Sequence, residues 1–180
     1  MKKNILACLT CLFLAGCGIF DPRPSDPPSD FGANSYETYQ DILNELHDMY
    51  ATRNTESMSA IFPPEDTDFT FEADSLDSAA MHATARTWHR NDEIEVTRSI
   101  LTNDSIIDFI HNTYPINTGA DSVTVDWGYA LMLSDSTHIK GTSRFTIQRY
   151  VNRYYLTRWT DRADSTGPGV KSWGRWKMEN

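Results

Sequence analysis

From Val123 to Leu133 the chain alternates with a period of two. Val123, Val125, Trp127, Tyr129, Leu131 and Leu133 are large and apolar, and Thr124, Asp126, Gly128, Ala130 and Met132 stand between them. That period places the first set on one face of a strand and the second on the other. Strands with one wet face belong to antiparallel sheets, and the dry face must be covered by another layer. The rest of the chain therefore has to supply partner strands and a cover.

Both are legible. Ser105 to Thr113 reads as the strand before, with Tyr114-Pro115 and residues 117–121 as the turn. Ile139, Phe145 and Ile147 mark the next strand, and Tyr154 to Thr160 the one after. Asp135-Ser136 and Val151-Asn152 fit the turns between them, and Trp173 to Trp176 is predicted to add a last short strand after Thr166 to Gly169. The cover comes from the first half. Tyr36, Tyr39, Leu43, Leu46 and Tyr50 recur at helical spacing, with Asn34 and Glu37 placed as a cap. A short helix from Thr55 to Ile61, a strand at Phe69-Thr70-Phe71, a turn or two of helix between Ser78 and Thr87, and a helix from Asn91 to Leu101 follow. Helices first and a curved antiparallel meander second make an α+β fold in which the sheet wraps the first helix.

Ahead of this domain lies a segment of another kind. Lys2 and Lys3, an apolar run from Ile5 to Leu14, and small Ala15 and Gly16 have the order of an export signal. The run is shorter than the roughly 20 residues a membrane-spanning helix needs. The string Leu14-Ala15-Gly16-Cys17 resembles the lipobox of bacterial lipoproteins. That resemblance implies diacylation of the Cys17 thiol, cleavage before it and acylation of the new amine with chains such as palmitate. Gly18, where an Asp would imply retention in the inner membrane, points to the outer membrane facing the periplasm in a host with two membranes. Cys8 and Cys11 fall in the removed signal, so Cys17 remains alone of the chain's 3 cysteines, and a disulfide or thiolate metal site is excluded. Pro22, Pro24, Pro27 and Pro28 make the following stretch a stiff tether. The expected organisation is a signal at 1–16, a lipidated tether at 17–33 and one domain at 34–180.

The 16 basic against 25 acidic residues give a formal charge of −9. A nucleic-acid groove or a face for anionic lipid requires the opposite sign. The acidity is that of a domain kept soluble outside the cytoplasm.

The order of elements resembles the nuclear transport factor 2-like superfamily, a cone-shaped, cystatin-like α+β fold. Local strings add to it: Phe69-Thr70-Phe71, Trp88 followed by Asp92-Glu93, Leu156-Thr157-Arg158-Trp159-Thr160-Asp161, and Trp173-Gly174-Arg175-Trp176-Lys177. They look like motifs of bacterial lipoproteins with this fold. The resemblance implies helices packed on a curved antiparallel sheet with an interior that hosts enzymes in some members and ligands or partners in others. Isomerase- and cyclase-like members place an Asp or His in the mouth of the cone as a base, beside a donor such as Tyr.

Asp108, His111 and Asp126 are the strand residues that could be such a base, with Tyr129 or Tyr154 as donor. Asp126 falls on the polar side of its strand, which favours a solvated carboxylate. His82 and His89, with Asp92 or Glu93, have too ordinary a setting for a metal site, and neither the HExxH spacing nor a Gly-x-Ser-x-Gly elbow occurs. No catalytic residue, metal or cofactor is expected. Trp127, Tyr129, Asp126 and Trp159 are the candidate cavity or ligand residues, although aromatics on a curved sheet more commonly fill a core. The Arg149, Arg153, Arg158 and Arg162 series is expected to pair with Asp and Glu across strands. The sequence thus points to a non-catalytic envelope lipoprotein. Its expected partners are the membrane, through the lipid, and a small apolar ligand, an envelope protein or a second copy in a homodimer. The alternative is a small isomerase- or cyclase-like enzyme.

Overall fold

The computed structural model describes residues 36–81, 86–164 and 170–180. Four long strands form the antiparallel meander that the alternation requires: β3 (Ile106–Thr118), β4 (Ser122–Leu133), β5 (His138–Tyr150) and β6 (Arg153–Ala163). The turns use left-handed Ser136 (φ 69°) and Val151 (φ 60°). Short strands extend the sheet. β1 (Thr70–Glu72) lies parallel to β6, and β2 (Thr87–Trp88) pairs antiparallel with β1, giving the order β2-β1-β6-β5-β4-β3. β7 (Val170–Lys171) runs parallel to the start of β5, beyond the point where β6 stops pairing. The sheet is therefore mixed rather than wholly antiparallel.

On β4 the alternation becomes burial: Val123, Val125, Trp127, Tyr129, Leu131 and Leu133 are buried, and the residues between them are only half-buried. The dry face is covered by α1 (Tyr39–Thr52), α4 (Arg90–Asn103) and α5 (Trp173–Met178), with the short α2 (Met58–Ile61) and α3 (Ser75–Ala80) at the margin. Burial of each large apolar side chain there contributes about 1.5–3 kcal/mol.

The start of α1 differs from expectation. Thr38 caps it: Thr38 Oγ1 accepts from Asp41 N at 3.3 Å, and Asp41 Oδ2 accepts from Thr38 N at 2.8 Å. Tyr36 lies ahead of the helix, where its carbonyl accepts from Tyr154 N at 2.9 Å and ties the approach to α1 to the start of β6. Of the expected cap pair, Asn34 lies outside the described residues and Glu37 precedes the helix. At the other end, Arg53 in the left-handed region (φ 61°) donates to the carbonyls of Leu101 and Thr102, tying α1 to the end of α4.

Three further expectations are corrected. Tyr114-Pro115 is not a turn, because β3 continues through it to Thr118. β3 ends the strand order with β4 as its partner, so Pro115 forfeits no ladder bond on the open side, and the register shifts just beyond it. Trp173 to Trp176 is not a strand but the first part of α5. Ser172 Oγ accepts from Arg175 N at 3.0 Å, and the helical period then brings Trp173, Trp176 and Lys177 to one side. The expected helical turn near Ser78 starts earlier, at Ser75, where Asp74 caps it through Leu76 N at 2.7 Å, and residues 82–85 lie outside the described part. Thr166 to Gly169 likewise lie outside it.

Candidate functional site

The concave face carries a closed polar network set in aromatics. Asp161 on β6 is 1% exposed and sits at its centre. Its Oδ1 accepts from the Tyr129 hydroxyl at 2.8 Å and from Ser143 Oγ at 3.1 Å, and its Oδ2 accepts from Gly174 N at 2.7 Å. Each hydroxyl is itself engaged from behind: Ser143 Oγ accepts from Trp159 Nε1 at 2.8 Å, and the Tyr129 oxygen accepts from Trp173 N at 2.7 Å. Two relays, Trp159 to Ser143 and Trp173 to Tyr129, therefore converge on one carboxylate. Burial pushes the Asp161 carboxyl above its ordinary value, against the pull of the Gly174 amide and the two hydroxyls. Burial, and then the neighbouring Asp161 charge, push the Tyr129 phenol well above its own.

Two glycines make this approach feasible. A Cβ on Gly141 would lie 2.5 Å from the Tyr129 hydroxyl and from the Arg162 carbonyl. On Gly174 it would lie 3.0 Å from the Ala73 Cβ and 3.2 Å from Asp161 Oδ2.

Beside Asp161, α5 delivers Lys177 to Glu93 of α4. Both side chains are 0% exposed, with Nζ 2.5 Å from Oε1. Glu93 is fixed by Thr97 Oγ1, 3.0 Å from Oε1, and by Trp88 Nε1, 2.8 Å from Oε2. The ammonium lies 3.5 Å from the Trp159 ring centroid, 4.3 Å from that of Phe71 and 5.6 Å from that of Trp173. Burial lowers the Lys177 pKa and the Glu93 charge opposes that fall. Further acids hold the same helix: Asp104 Oδ2 accepts from Trp176 Nε1 at 2.6 Å, and Asp77 Oδ2 from Ser172 Oγ at 2.5 Å.

A second, partly exposed cluster lies between α1 and β3. His47 stacks on Phe109 with centroids 5.1 Å apart and lies 4.8 Å from His111, which meets Trp127 edge-on at 5.0 Å. Burial, and then the proximity of His47, lower the His111 pKa. Among the described residues, His111 Nδ1 and Trp127 Nε1 are buried without a hydrogen-bond partner. His47 Nδ1 is 3.0 Å from Asp48 Oδ1. Among the described residues, no group of three or more His, Cys, Asp or Glu is placed to hold a metal ion.

Of the residues singled out in the sequence, Trp127, Tyr129 and Trp159 each pack against the Trp173 ring on the concave face, with centroids 6.0, 4.7 and 4.7 Å from it. Asp126 does not join them; on the other face of β4 it pairs with Arg144 through both oxygens, at 2.7 and 2.9 Å. Asp108 and Tyr154 lie away from the network: Asp108 is exposed on β3, and the Tyr154 hydroxyl donates to the Ala120 carbonyl at 3.1 Å. His89 bonds to the Phe69 carbonyl through Nδ1 at 3.0 Å, and His82 lies outside the described residues. Arg158 pairs with Glu72 at 2.8 Å, as expected of the arginine series, whereas Arg153 instead donates to the Ala60 carbonyl at 2.9 Å.

In the sequence Glu93 is a candidate only as a metal ligand, Asp161 and Lys177 stand only within longer strings and Ser143 is not singled out, so the network they form is not foreseen. Spacing held a signal for three of the four: Asp161 is two residues from Trp159 on one strand face, Glu93 is four before Thr97 on the apolar side of α4, and Lys177 is four after Trp173 on α5.

No protein-family model and no curated protein matches the sequence. The fold has solved counterparts at low identity. An NTF2-like protein (nuclear transport factor 2-like) from Cytophaga hutchinsonii aligns at 11% identity and a TM-score of 0.54, over 69% of this chain and 93% of that one. A protein from Thiobacillus denitrificans, provisionally named a calcium/calmodulin-dependent protein kinase type II association domain, aligns at 13% and 0.52, over 72% and 99%. One from Novosphingobium aromaticivorans, provisionally named an aromatic ring hydroxylase, aligns at 13% and 0.51, over 71% and 87%. The domain thus has the NTF2-like fold, with helices packed on a curved, unclosed mixed sheet.

Proposed function

We propose that this chain is a lipoprotein of the bacterial cell envelope, anchored through acylated Cys17, whose NTF2-like domain is a non-catalytic binding module. The observation that carries the non-catalytic reading is the saturation of the two central buried carboxylates, Asp161 and Glu93, by the chain's own groups. A general base needs a lone pair free to reach a substrate proton. Asp161 gives both oxygens to protein donors, and Glu93 gives both of its own to Lys177, Thr97 and Trp88.

The anchor rests on the order of Lys2, Lys3, the apolar run and Leu14-Ala15-Gly16-Cys17. Each inserted methylene contributes about 0.8 kcal/mol, and stable anchoring takes more than one chain, as a triacylated cysteine would provide. The ligand is a small apolar molecule or an envelope protein, and the outer membrane facing the periplasm is the location in a host with two membranes.

One observation favours the enzyme reading instead: a buried carboxyl with a raised pKa, Asp161, beside the Tyr129 hydroxyl. It requires α5 to leave, because the Gly174 amide occupies Oδ2.

Fractionation tests the anchor. The native chain is expected in the membrane pellet and labelled by radioactive palmitate, and Cys17→Ala in the soluble fraction, folded and unlabelled. Retention of Cys17→Ala in the membrane would overturn it.

A further inference from the structure

The Lys177 side chain is a costly way to fill the space beneath α5. Breaking even with the desolvation of two ions demands excellent geometry, and apolar residues of similar volume commonly replace such buried pairs without loss. What surrounds the ammonium is chemistry selective for a cation. The Trp159 and Phe71 ring centroids lie 3.5 and 4.3 Å from Nζ, and the Glu93 carboxylate is held in place by the Trp88 and Thr97 donors. Aromatic faces with a carboxylate form an arrangement that recognises organic ammonium groups. All of these surrounding groups belong to α4, β1, β2 and β6, whereas the ammonium arrives on α5.

We infer that the interior of the cone is a receptor for an organic ammonium group, filled in this state by Lys177 as a tethered occupant. The inference rests on the binding-module reading and names its ligand class: an amine-bearing molecule with an apolar or aromatic body, which gains the cage when the Lys177 side chain withdraws. Trp173, 5.6 Å from the ammonium, supplies the aromatic part of the tethered occupant.

The test uses the full chain with Lys177→Ala, which removes the equivalent of n-propylammonium. Thermal melts are recorded with n-propylammonium, 1-propanol and propionate. The amine is expected to raise the melting temperature of the variant saturably, at a concentration at least about tenfold below that of the alcohol, given the contribution of a desolvated cation–π contact. Propionate is expected to have no effect. In Lys177→Met, where the space is filled, and in Lys177→Ala with Glu93→Gln, the preference for amine over alcohol is expected to vanish.

If Lys177→Ala does not fold alone, the same titration reads recovery of the near-ultraviolet signal, which the amine should restore and the alcohol should not. Equal action by amine and alcohol, or action by neither, overturns the proposal. A separate arm titrates the unmodified chain with phenethylammonium, read by tryptophan fluorescence, and expects binding at least about tenfold weaker than to Lys177→Ala. A response of the variant with complete silence of the unmodified chain would overturn the inference, because the native interior would then admit no amine, and would leave the binding-module reading standing on another surface, so the two fail separately.

Discussion

Replacing Tyr129 with Phe removes one oxygen from the centre of the domain and almost no volume. That oxygen accepts from Trp173 N at 2.7 Å and donates to Asp161 Oδ1 at 2.8 Å, in a residue 3% exposed. A hydrogen bond to a charged acceptor contributes about 1.5–3 kcal/mol, and leaving the Trp173 amide buried and unpaired costs about 1–3 kcal/mol. The two overlap, because the ring keeps its packing and α5 can relax, so a net loss of about 3–4 kcal/mol is expected. In a domain of this size each kcal/mol lowers the melting temperature by about 2–4 °C, so Tyr129→Phe should melt roughly 6–16 °C below the parent. Urea unfolding followed by tryptophan fluorescence measures it, with an unchanged slope showing that the folded state keeps its extent. A loss under about 1 kcal/mol would refute the reasoning, since it would mean that α5 does not depend on this relay.

Other consequences follow from the same geometry. Gly174→Ala sets a methyl 3.0 Å from the Ala73 Cβ and 3.2 Å from Asp161 Oδ2, and should destabilise by about 1–3 kcal/mol in the same unfolding assay. Asp126, held below its ordinary value by the Arg144 guanidinium, binds protons in the unfolded chain before the folded one as pH falls. Its contribution is present above the ordinary carboxylate value and is lost as pH drops toward the lowered one. Asp126→Asn should therefore flatten the acid limb of the stability profile by up to about 1 kcal/mol, the range of partly exposed pairs. His111 is shifted down by burial and His47, so the unfolded state also takes this proton first; stability should decline as pH falls below the ordinary histidine value, and NMR titration should place His111 below that value.

The meander was legible because its strands are long and one-sided. Val123 to Leu133 announces both its period and its dry face, and Ser136 and Val151 mark where the chain must turn. The failures came where local pattern and tertiary setting disagree. Pro115 looks like a turn until it is known that β3 has β4 on one side and no further strand after it in the sheet order. Trp173 to Trp176 looks like a strand because aromatics favour strands, yet Ser172 caps a helix there, and the acids that hold that helix come from Asp77, Glu93, Asp104 and Asp161, distant in sequence. Buried polar residues were missed for the same reason. Nothing local marks Glu93 and Lys177 as buried, since such residues are almost never fully buried unless paired, and the pairing spans 84 positions. Asp126 shows the converse, a carboxylate on the strand beside the candidate cavity residues that faces the other way.

The account stands on α5 lying inside the cone with Lys177 against Glu93, and proton NMR of the unmodified chain tests this most directly. With Nζ 3.5 Å from the Trp159 ring centroid, the Lys177 side-chain methylene resonances are expected far upfield of ordinary lysine, with cross-peaks to the Trp159 and Phe71 rings. Lysine resonances all at ordinary positions, with no cross-peak from Lys177 to either ring, would contradict the closed interior and with it the non-catalytic reading.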